Sequence, residues 1–226
     1  VNDPSSFLAA VLPAYQAAST LPSVLSRLER HLPHERTLVV DDGSSDGTAD
    51  VARSLGVNVI RQEPNRGKGA ALRFGMSWWK ERSGWSALVT LDADGQHDPD
   101  DLPSLVEAWR RSGADLVLGA RRFSGVGMPW ERQLSNRITS ALVSWRTGQR
   151  IPDSQCGFRL FARRAVETLR TAADGFEAET ELLIRAAALG LTIGSVEVRT
   201  IYAGERSSMT YWNTTKAFVR TLLMEV

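Results

Sequence analysis

Five short apolar runs that alternate with helical stretches constrain this chain more than any other feature. They are LAAVL at 8–12, TLVV at 37–40, VNVI at 57–60, SALVTL at 86–91 and DLVL at 115–118. Runs this apolar read as strands covered on both faces rather than as half-exposed ones. Between the first two, Leu21, Val24, Leu25, Leu28 and Leu32 recur at helical spacing, behind Ser19 or Thr20 as a cap and Pro22 in the first turn. Further helices are expected over 48–54, closed by Gly56, over 68–82, and from Asp101 to Arg111. The alternation predicts an α/β chain with a mainly parallel central sheet flanked by helices. Right-handed crossovers would line the strand ends along one edge.

Beyond Gly119 the pattern loosens. Residues 120–130, with Gly125, Gly127 and Pro129, read as a mobile loop. A helix is expected over 131–146 with Leu134, Ile138, Leu142 and Val143 as its buried face. A polar segment then runs into a short strand by 161, followed by a helix at 176–189 and a strand at 191–199. With no repeat or linker in sight, 1–207 reads as one domain. Residues 208–226 read as an amphipathic helix packed on that domain, on a partner subunit or on a membrane surface. Tyr211, Trp212, Thr215, Phe218, Val219, Leu222 and Leu223 form its stripe, bordered by Lys216 and Arg220.

Composition excludes several classes. Lys and Arg total 27 against 26 Asp and Glu, a net charge of +1, so no long-range field draws the chain to nucleic acid. The single cysteine, Cys156, excludes an internal disulfide and a multi-cysteine metal site. With no histidine near it in sequence, Cys156 reads as a packed residue. His31 and His34 read as surface residues. No apolar run approaches the roughly 20 residues of a membrane span, and VNDPSS lacks the parts of a signal peptide. A cytoplasmic location follows as an expectation, with peripheral attachment to a membrane left open.

The strand ends carry the chemistry, because ligands of open α/β sheets bind where strands meet their C-terminal loops. The run 37–40 ends in Asp41-Asp42 and the run 86–91 in Asp92-Ala93-Asp94. Four carboxylates at one edge repel unless a cation or ordered donors offset them. A hard divalent cation suits the set, keeping waters and phosphate oxygens as its other ligands, with Gln96 and His97 as further donors. Asp46 either joins them or caps the helix at 48. The basic, flexible Asn65-Arg66-Gly67-Lys68-Gly69 segment precedes a helix. It is either a solvent-facing turn or a phosphate contact through helix-start amides and Arg66 or Lys68. Neither a dinucleotide G-x-G-x-x-G nor a Walker loop is present.

Taken in order, Asp41-Asp42-Gly43-Ser44 through Asp46-Gly47-Thr48, Asn65 to Gly69, Asp92-Ala93-Asp94-Gly95-Gln96 and Asp153-Ser154-Gln155-Cys156-Gly157-Phe158-Arg159 resemble the motifs of family 2 glycosyltransferases of the A-type fold. Within that family the chain is similar to the polyprenyl-phosphate (dolichyl-phosphate) sugar synthases over about residues 8–205. The resemblance implies a hexosyltransferase that takes a UDP- or GDP-hexose. Asp41 and Asp42 would face base and ribose, with Pro13 and Tyr15 in the early loop close to the base. Tyr15-Gln16-Ala17 stands where relatives carry Tyr-Asn-Glu, which removes the usual carboxylate contact to the nucleotide. Lys68, Asp92 and Ala93 would line the donor, and Asp92, Asp94 and Gln96 would hold Mg²⁺ or Mn²⁺.

The resemblance further implies inversion in one step. A polyprenyl phosphate acceptor is already anionic and needs cations rather than a base. Arg121, Arg122, Arg132 and Arg137 match acceptor-facing arginines, Arg122 and Arg132 foremost. Asp153 would be a base toward a hydroxyl acceptor, or would orient Arg159 or hold the sugar. Gln155 would touch donor sugar or diphosphate, and Asp94, Asp153, Gln155 and Arg159 are the expected catalytic residues. Rival readings are transfer to a soluble hydroxyl, a nucleotidyltransferase, and a degenerate sugar-nucleotide-binding module.

Overall fold

Every residue from Leu8 to Ala14 is buried, and the two-residue period of a strand sends them into two different cores. Leu8, Ala10 and Leu12 pack with Leu21, Leu25, Leu28, Leu102 and Leu105 on one side. Ala9 and Val11 pack with Ala71, Leu72, Met76, Trp79, Leu182 and Leu183 on the other. Each fully buried leucine contributes about 1.5–3 kcal/mol. The strand is therefore the centre of a three-layer sandwich, as its composition predicts. The structure is a computed structural model that describes residues 7–121, 130–201 and 211–225, with side chains described from 133 and from 216 onward in the last two stretches.

The strands are β1 (Leu8–Ala14), β2 (Thr37–Asp41), β3 (Asn58–Arg61), β4 (Ala87–Thr90), β5 (Leu116–Arg121), β6 (Arg159–Ala162) and β7 (Ile193–Val198). The helices are α1 (Leu21–Leu28), α2 (Thr48–Ser54), α3 (Lys68–Lys80), α4 (Leu102–Ser112), α5 (Trp130–Thr147), α6 (Arg163–Thr168), α7 (Ala178–Ala188) and α8 (Tyr211–Leu222). The seven-stranded sheet runs β3-β2-β1-β4-β6-β5-β7. All neighbours are parallel except β6, which is antiparallel to both β4 and β5. That inversion has a consequence for the site. The chain enters β6 at the edge where the other strands end, so the segment 153–158 arrives beside Asp92.

The structure revises three sequence expectations. The first strand runs through Pro13 to Ala14 instead of stopping before the proline. Its ladder with β4 ends at Val11–Thr90, and Ala14 accepts from Asp42 on the β2 side, so the position of the missing N–H faces no ladder partner. Thr20 precedes α1, but its hydroxyl donates to the Ala93 carbonyl (2.6 Å) rather than capping the helix. The third revision concerns α5. Of the four residues expected inside, only Val143 is buried; Leu134, Ile138 and Leu142 are exposed. The buried face is polar instead. Asn136 and Ser140 are buried, and Ser140 Oγ accepts from Ser154 N (2.9 Å) while Ser144 Oγ accepts from Ile151 N (3.0 Å). This helix is amphipathic in reverse.

Helix α8 packs on α5 and α7. Arg146 of α5 donates to the Leu222 and Met224 carbonyls at its end (3.2 and 3.0 Å). Of its expected stripe, Leu222 is buried, Phe218 half-buried, and Val219 and Leu223 exposed, while the side chains of Tyr211, Trp212 and Thr215 lie outside the described residues. No described helix is long and apolar enough to cross a membrane.

Candidate active site

Asp41 closes β2, in register with Ala14 and Arg61. It is fully buried. Its Oδ1 accepts from Ser44 N (3.1 Å), while Oδ2 has no hydrogen-bond partner among the described residues and lies 3.8 Å from Arg61 Nε. Asp42 behaves differently. Its two oxygens accept from the Arg66 and Gly67 amides (2.8 and 2.7 Å), so it braces the Asn65–Gly69 loop. The early loop is knitted to the same edge. Gln16 N donates to Ser44 Oγ, Ala17 N to Thr48 Oγ1 and Ala18 N to Asp46 Oδ2, each at 2.9 Å. Asp46 also accepts from Thr48 N in the first turn of α2 (3.0 Å), although the N-cap position itself is Gly47. Pro13 is buried and Tyr15 exposed.

The second acidic end lies past β4. Thr90 Oγ1 donates to the Gly157 carbonyl (2.9 Å) and docks the 153–158 segment there. Asp92 then meets two cationic partners, Lys68 Nζ at 2.6 Å and His97 Nε2 at 3.5 Å. Lys68 also reaches Glu179 Oε1 of α7 (3.1 Å). A Cβ at position 157 would overlap the Asp92 carboxylate, so glycine is required for this approach. Burial alone would raise the Asp92 carboxyl, but Lys68 and His97 outweigh it and hold the group well below the usual range. Asp94 moves the other way: burial and then the Asp92 charge raise it, against one bond accepted from Gln96 N (2.9 Å). Burial works against a charged His97 ring as well, yet Cys156 and Asp92 push it up to about 10.

Two carboxylates whose titrations are driven apart are a charge pair that a cation would relieve. Among the described residues no cluster of three or more His, Cys, Asp or Glu side chains is placed to hold a metal ion. The donor set therefore does not fit a protein-only cage. It does fit Mg²⁺ or Mn²⁺, which take one or two carboxylates plus phosphate oxygens. Ala93 is buried, and Gln96 contributes backbone to this turn, accepting from Ile201 N (2.9 Å) as well as donating to Asp94. The turn is held from behind: Asp98 and Asp100 pair with Arg27, and His31, expected at the surface, bonds Asp100 Oδ1 (2.8 Å).

The 153–159 segment completes the edge. Asp153 is fully buried. It accepts from Arg121 Nε (2.7 Å), Arg121 Nη2 (3.1 Å), Asn136 Nδ2 (3.0 Å), Gln155 N (3.2 Å) and Arg121 N (3.3 Å). The alternative in which Asp153 orients Arg159 is thereby corrected: the arginine it orients is Arg121. Arg159, expected to be catalytic, is a strut. Its guanidinium donates to the carbonyls of Cys156, Glu179 and Ser154, each at 2.8 Å, and the residue is 1 % exposed. Gln155 is exposed and reaches Thr139 of α5 (3.3 Å). Cys156 is core, with His97 Nδ1 4.0 Å from its sulfur, a neighbour that lies far off in sequence.

Of the four arginines expected at an acceptor phosphate, Arg121 is clamped by Asp153 and Arg137 is exposed on α5. Arg122, the Arg132 side chain and the expected mobile loop at 123–129 lie outside the described residues. Glu179 and Asn136 escaped the sequence reading. Glu179 had one available signal, a glutamate set among apolar residues of a helix that the sheet must bury.

The profile of glycosyl transferase family 2 matches residues 9–170. An undecaprenyl-phosphate mannosyltransferase of Micrococcus luteus is 34 % identical over 199 residues, covering 83 % of this chain and 81 % of the relative. A polyprenol monophosphomannose synthase of Mycolicibacterium smegmatis is 32 % identical over 200 residues, covering 83 % and 75 %. Among solved structures, glucosyl-3-phosphoglycerate synthase of Mycobacterium tuberculosis in complex with Mn²⁺, uridine diphosphate and phosphoglyceric acid superposes with a TM-score of 0.75. It is 26 % identical, and the match covers 96 % of this chain and 77 % of that one. The sheet order, the acidic strand ends and these matches agree: the chain belongs to glycosyl transferase family 2 and is a glycosyltransferase.

Proposed function

We propose that this enzyme transfers a hexose from a nucleoside-diphosphate sugar to the phosphate of a polyprenyl phosphate, with inversion at the anomeric carbon. The observation that carries the reading is the state of Asp153. Both its oxygens are taken up by Arg121, Asn136 and Gln155, the arrangement of a clamp rather than of a base awaiting a proton. Transfer to a hydroxyl needs such a base; transfer to a phosphate oxygen does not, because that oxygen is already anionic. Relatives named for polyprenyl- or dolichyl-phosphate acceptors, at 30–34 % identity, support the same reading.

In this account the unpartnered Asp41 Oδ2 accepts from the nucleoside, beside Pro13 and Tyr15. Asp42 shapes the Asn65–Gly69 loop around the diphosphate. Asp92, Asp94 and Gln96 would hold Mg²⁺ or Mn²⁺, which when bound offsets the charge that grows on the departing diphosphate. Lys68 and His97 fix the Asp92 carboxylate for that task. The acceptor oxygen attacks the anomeric carbon opposite the diphosphate; one C–O bond forms as the other breaks, and nucleoside diphosphate leaves with the bonding electrons. Arg122 and Arg132 are the proposed holders of the acceptor phosphate, each presenting a planar fork that suits phosphate oxygens. On this reading residues 1–207 make up the catalytic domain, and α8 is an appendage to it.

A second reading keeps the fold and takes a soluble hydroxyl, as the name of the superposed synthase suggests. Incubation with UDP- and GDP-hexoses, Mg²⁺ or Mn²⁺, and either a polyprenyl phosphate or soluble hydroxyl compounds separates the two by product mass. A hexosyl phosphopolyprenol supports the proposal, and a glycosylated soluble hydroxyl alone overturns it.

A further inference from the structure

Lys68 stands between two carboxylates that different elements bring together. Its Nζ lies 2.6 Å from Asp92 Oδ1 and 3.1 Å from Glu179 Oε1, and its side chain is only 15 % exposed. The Phe176 ring, 5.8 Å from Nζ, lines another side. The backbone under Lys68 is pinned. Asp42 accepts from the Arg66 and Gly67 amides just before it. Just after it, Gly69 N and Ala70 N both donate to the Asp174 carbonyl (2.7 and 3.2 Å). A Cβ at position 69 would overlap the Ala173 carbonyl and Ala178, so the start of α3 sits hard against the segment leading into α7. What Lys68 can move is its side chain, and two carboxylates are within its reach.

Both Asp92 oxygens are engaged as well. Oδ1 faces Lys68, Oδ2 faces His97 Nε2 (3.5 Å), and Gly157 closes against the carboxylate. A divalent ion shared by Asp92 and Asp94 would therefore meet a carboxylate whose charge Lys68 already offsets. A cation within about 4–6 Å lowers the affinity of a carboxylate for a proton by about 10–1000-fold, and a divalent ion carries twice the proton's charge. Lys68 and the ion are rivals for the same group. A diphosphate changes that balance, because it brings negative charge to the same edge and lets the cluster hold both cations.

We propose that Lys68 and Glu179 make binding of the divalent ion conditional on the donor. Lys68 holds Asp92 against the ion in the free enzyme, and Glu179 gives the ammonium a second partner when ion and nucleoside diphosphate arrive together. Both act as positioning residues, through Asp92. By linkage, ion and nucleoside diphosphate each raise the other's affinity by one common factor. An ion that bridges protein and diphosphate supplies part of that factor by itself; the part owed to Lys68 is what its removal takes away. The proposal rests on the reading of Asp92 and Asp94 as ion ligands.

The test is titration calorimetry of Mn²⁺ into the full chain, alone and with saturating UDP or GDP. Wild type should bind Mn²⁺ more tightly when a nucleoside diphosphate is present. With no nucleotide, Lys68→Met should bind Mn²⁺ at least about tenfold more tightly than wild type, and its gain from nucleotide should shrink accordingly. Glu179→Gln should move the other way, because it leaves the ammonium to Asp92 alone, and should weaken Mn²⁺ binding to the nucleotide-free chain. Lys68→Arg keeps the charge and should stay near wild type. A purely structural role would weaken Mn²⁺ binding in all three variants. Lys68→Met strands two carboxylates, so its melting temperature should fall without Mn²⁺ and recover with it; if it does not fold, the Glu179→Gln and Lys68→Arg titrations decide. Mn²⁺ binding that Lys68→Met leaves unchanged or weakens, or that Glu179→Gln tightens, would overturn the proposal while leaving the ion ligands standing. Wild type that takes up no Mn²⁺ in either condition would remove the ion reading of Asp92 and Asp94, and the proposal with it.

Discussion

Replacing Asp153 with asparagine separates a clamp from a base. The side chain is fully buried and accepts five hydrogen bonds, three of them from Arg121. An asparagine keeps the shape, but its NH₂ group would face donors, and Arg121 would lose the charge of Asp153. Breaking a buried ion pair from one side costs about 3–5 kcal/mol. Arg121 keeps some access to water, its side chain being 13 % exposed, which favours the lower end. For a chain of this length about 3 kcal/mol corresponds to a fall in Tm of about 6–12 °C. The pH dependence follows from the sign of the shift. Burial alone would raise Asp153, but Arg121 and Asn136 hold its carboxyl below the usual range. Its contribution is therefore present above the unfolded value of about 3.9 and is lost as pH falls further. Urea melts of both proteins should show the full gap at neutral pH and a closing gap below about pH 4. Turnover carries the other half of the test. Loss of a general base lowers kcat by about 10²–10⁴-fold, whereas loss of a clamp on Arg121 should act chiefly through the acceptor KM. A variant as stable as wild type, but with kcat reduced by that factor, would refute the clamp.

Three further substitutions probe other parts of the edge. Asp94→Asn should lower turnover by about 10²-fold or more, while the metal-free Tm holds or rises, because Asp94 is a charge that its neighbours disfavour; a clear loss of Tm would contradict this. Arg159→Met strands three buried carbonyls and should destabilise the protein by at least about 3 kcal/mol in denaturant melts; unchanged stability with a raised donor KM would instead put Arg159 at the substrate. His97→Asn removes a group whose pKa is raised to about 10. Its stabilisation is complete below the unfolded value of about 6.5 and fades as pH climbs through about 10, so melts should show the wild-type advantage shrinking over that window.

The central strands and the acidic edge were legible because each local signal agreed with the fold. LAAVL and SALVTL are too apolar for any place but the middle of a sheet, and Asp41 and Asp92 follow such runs directly. The second half was less legible because its elements break that agreement. Helix α5 follows helical periodicity, but its polar face points inward to bond the segment 151–155, so reading the apolar stripe as core turned the helix around. Arg159 sits in a family motif yet is consumed by carbonyls, and Asp153 selects Arg121 across 32 positions. Such pairings depend on β6 entering antiparallel, which no period in the sequence announces. Lys68 was expected at a phosphate; its partners Asp92 and Glu179 come together only when α3 and α7 meet on one face.

The account stands most directly on the atom that receives the sugar. One reaction with a nucleoside-diphosphate hexose, Mg²⁺ or Mn²⁺, and equal amounts of a polyprenyl phosphate and the corresponding polyprenol, resolved by mass, tests it. The account predicts hexose on the phosphate and an untouched alcohol; hexose on the alcohol, with the phosphate unreacted, would contradict it.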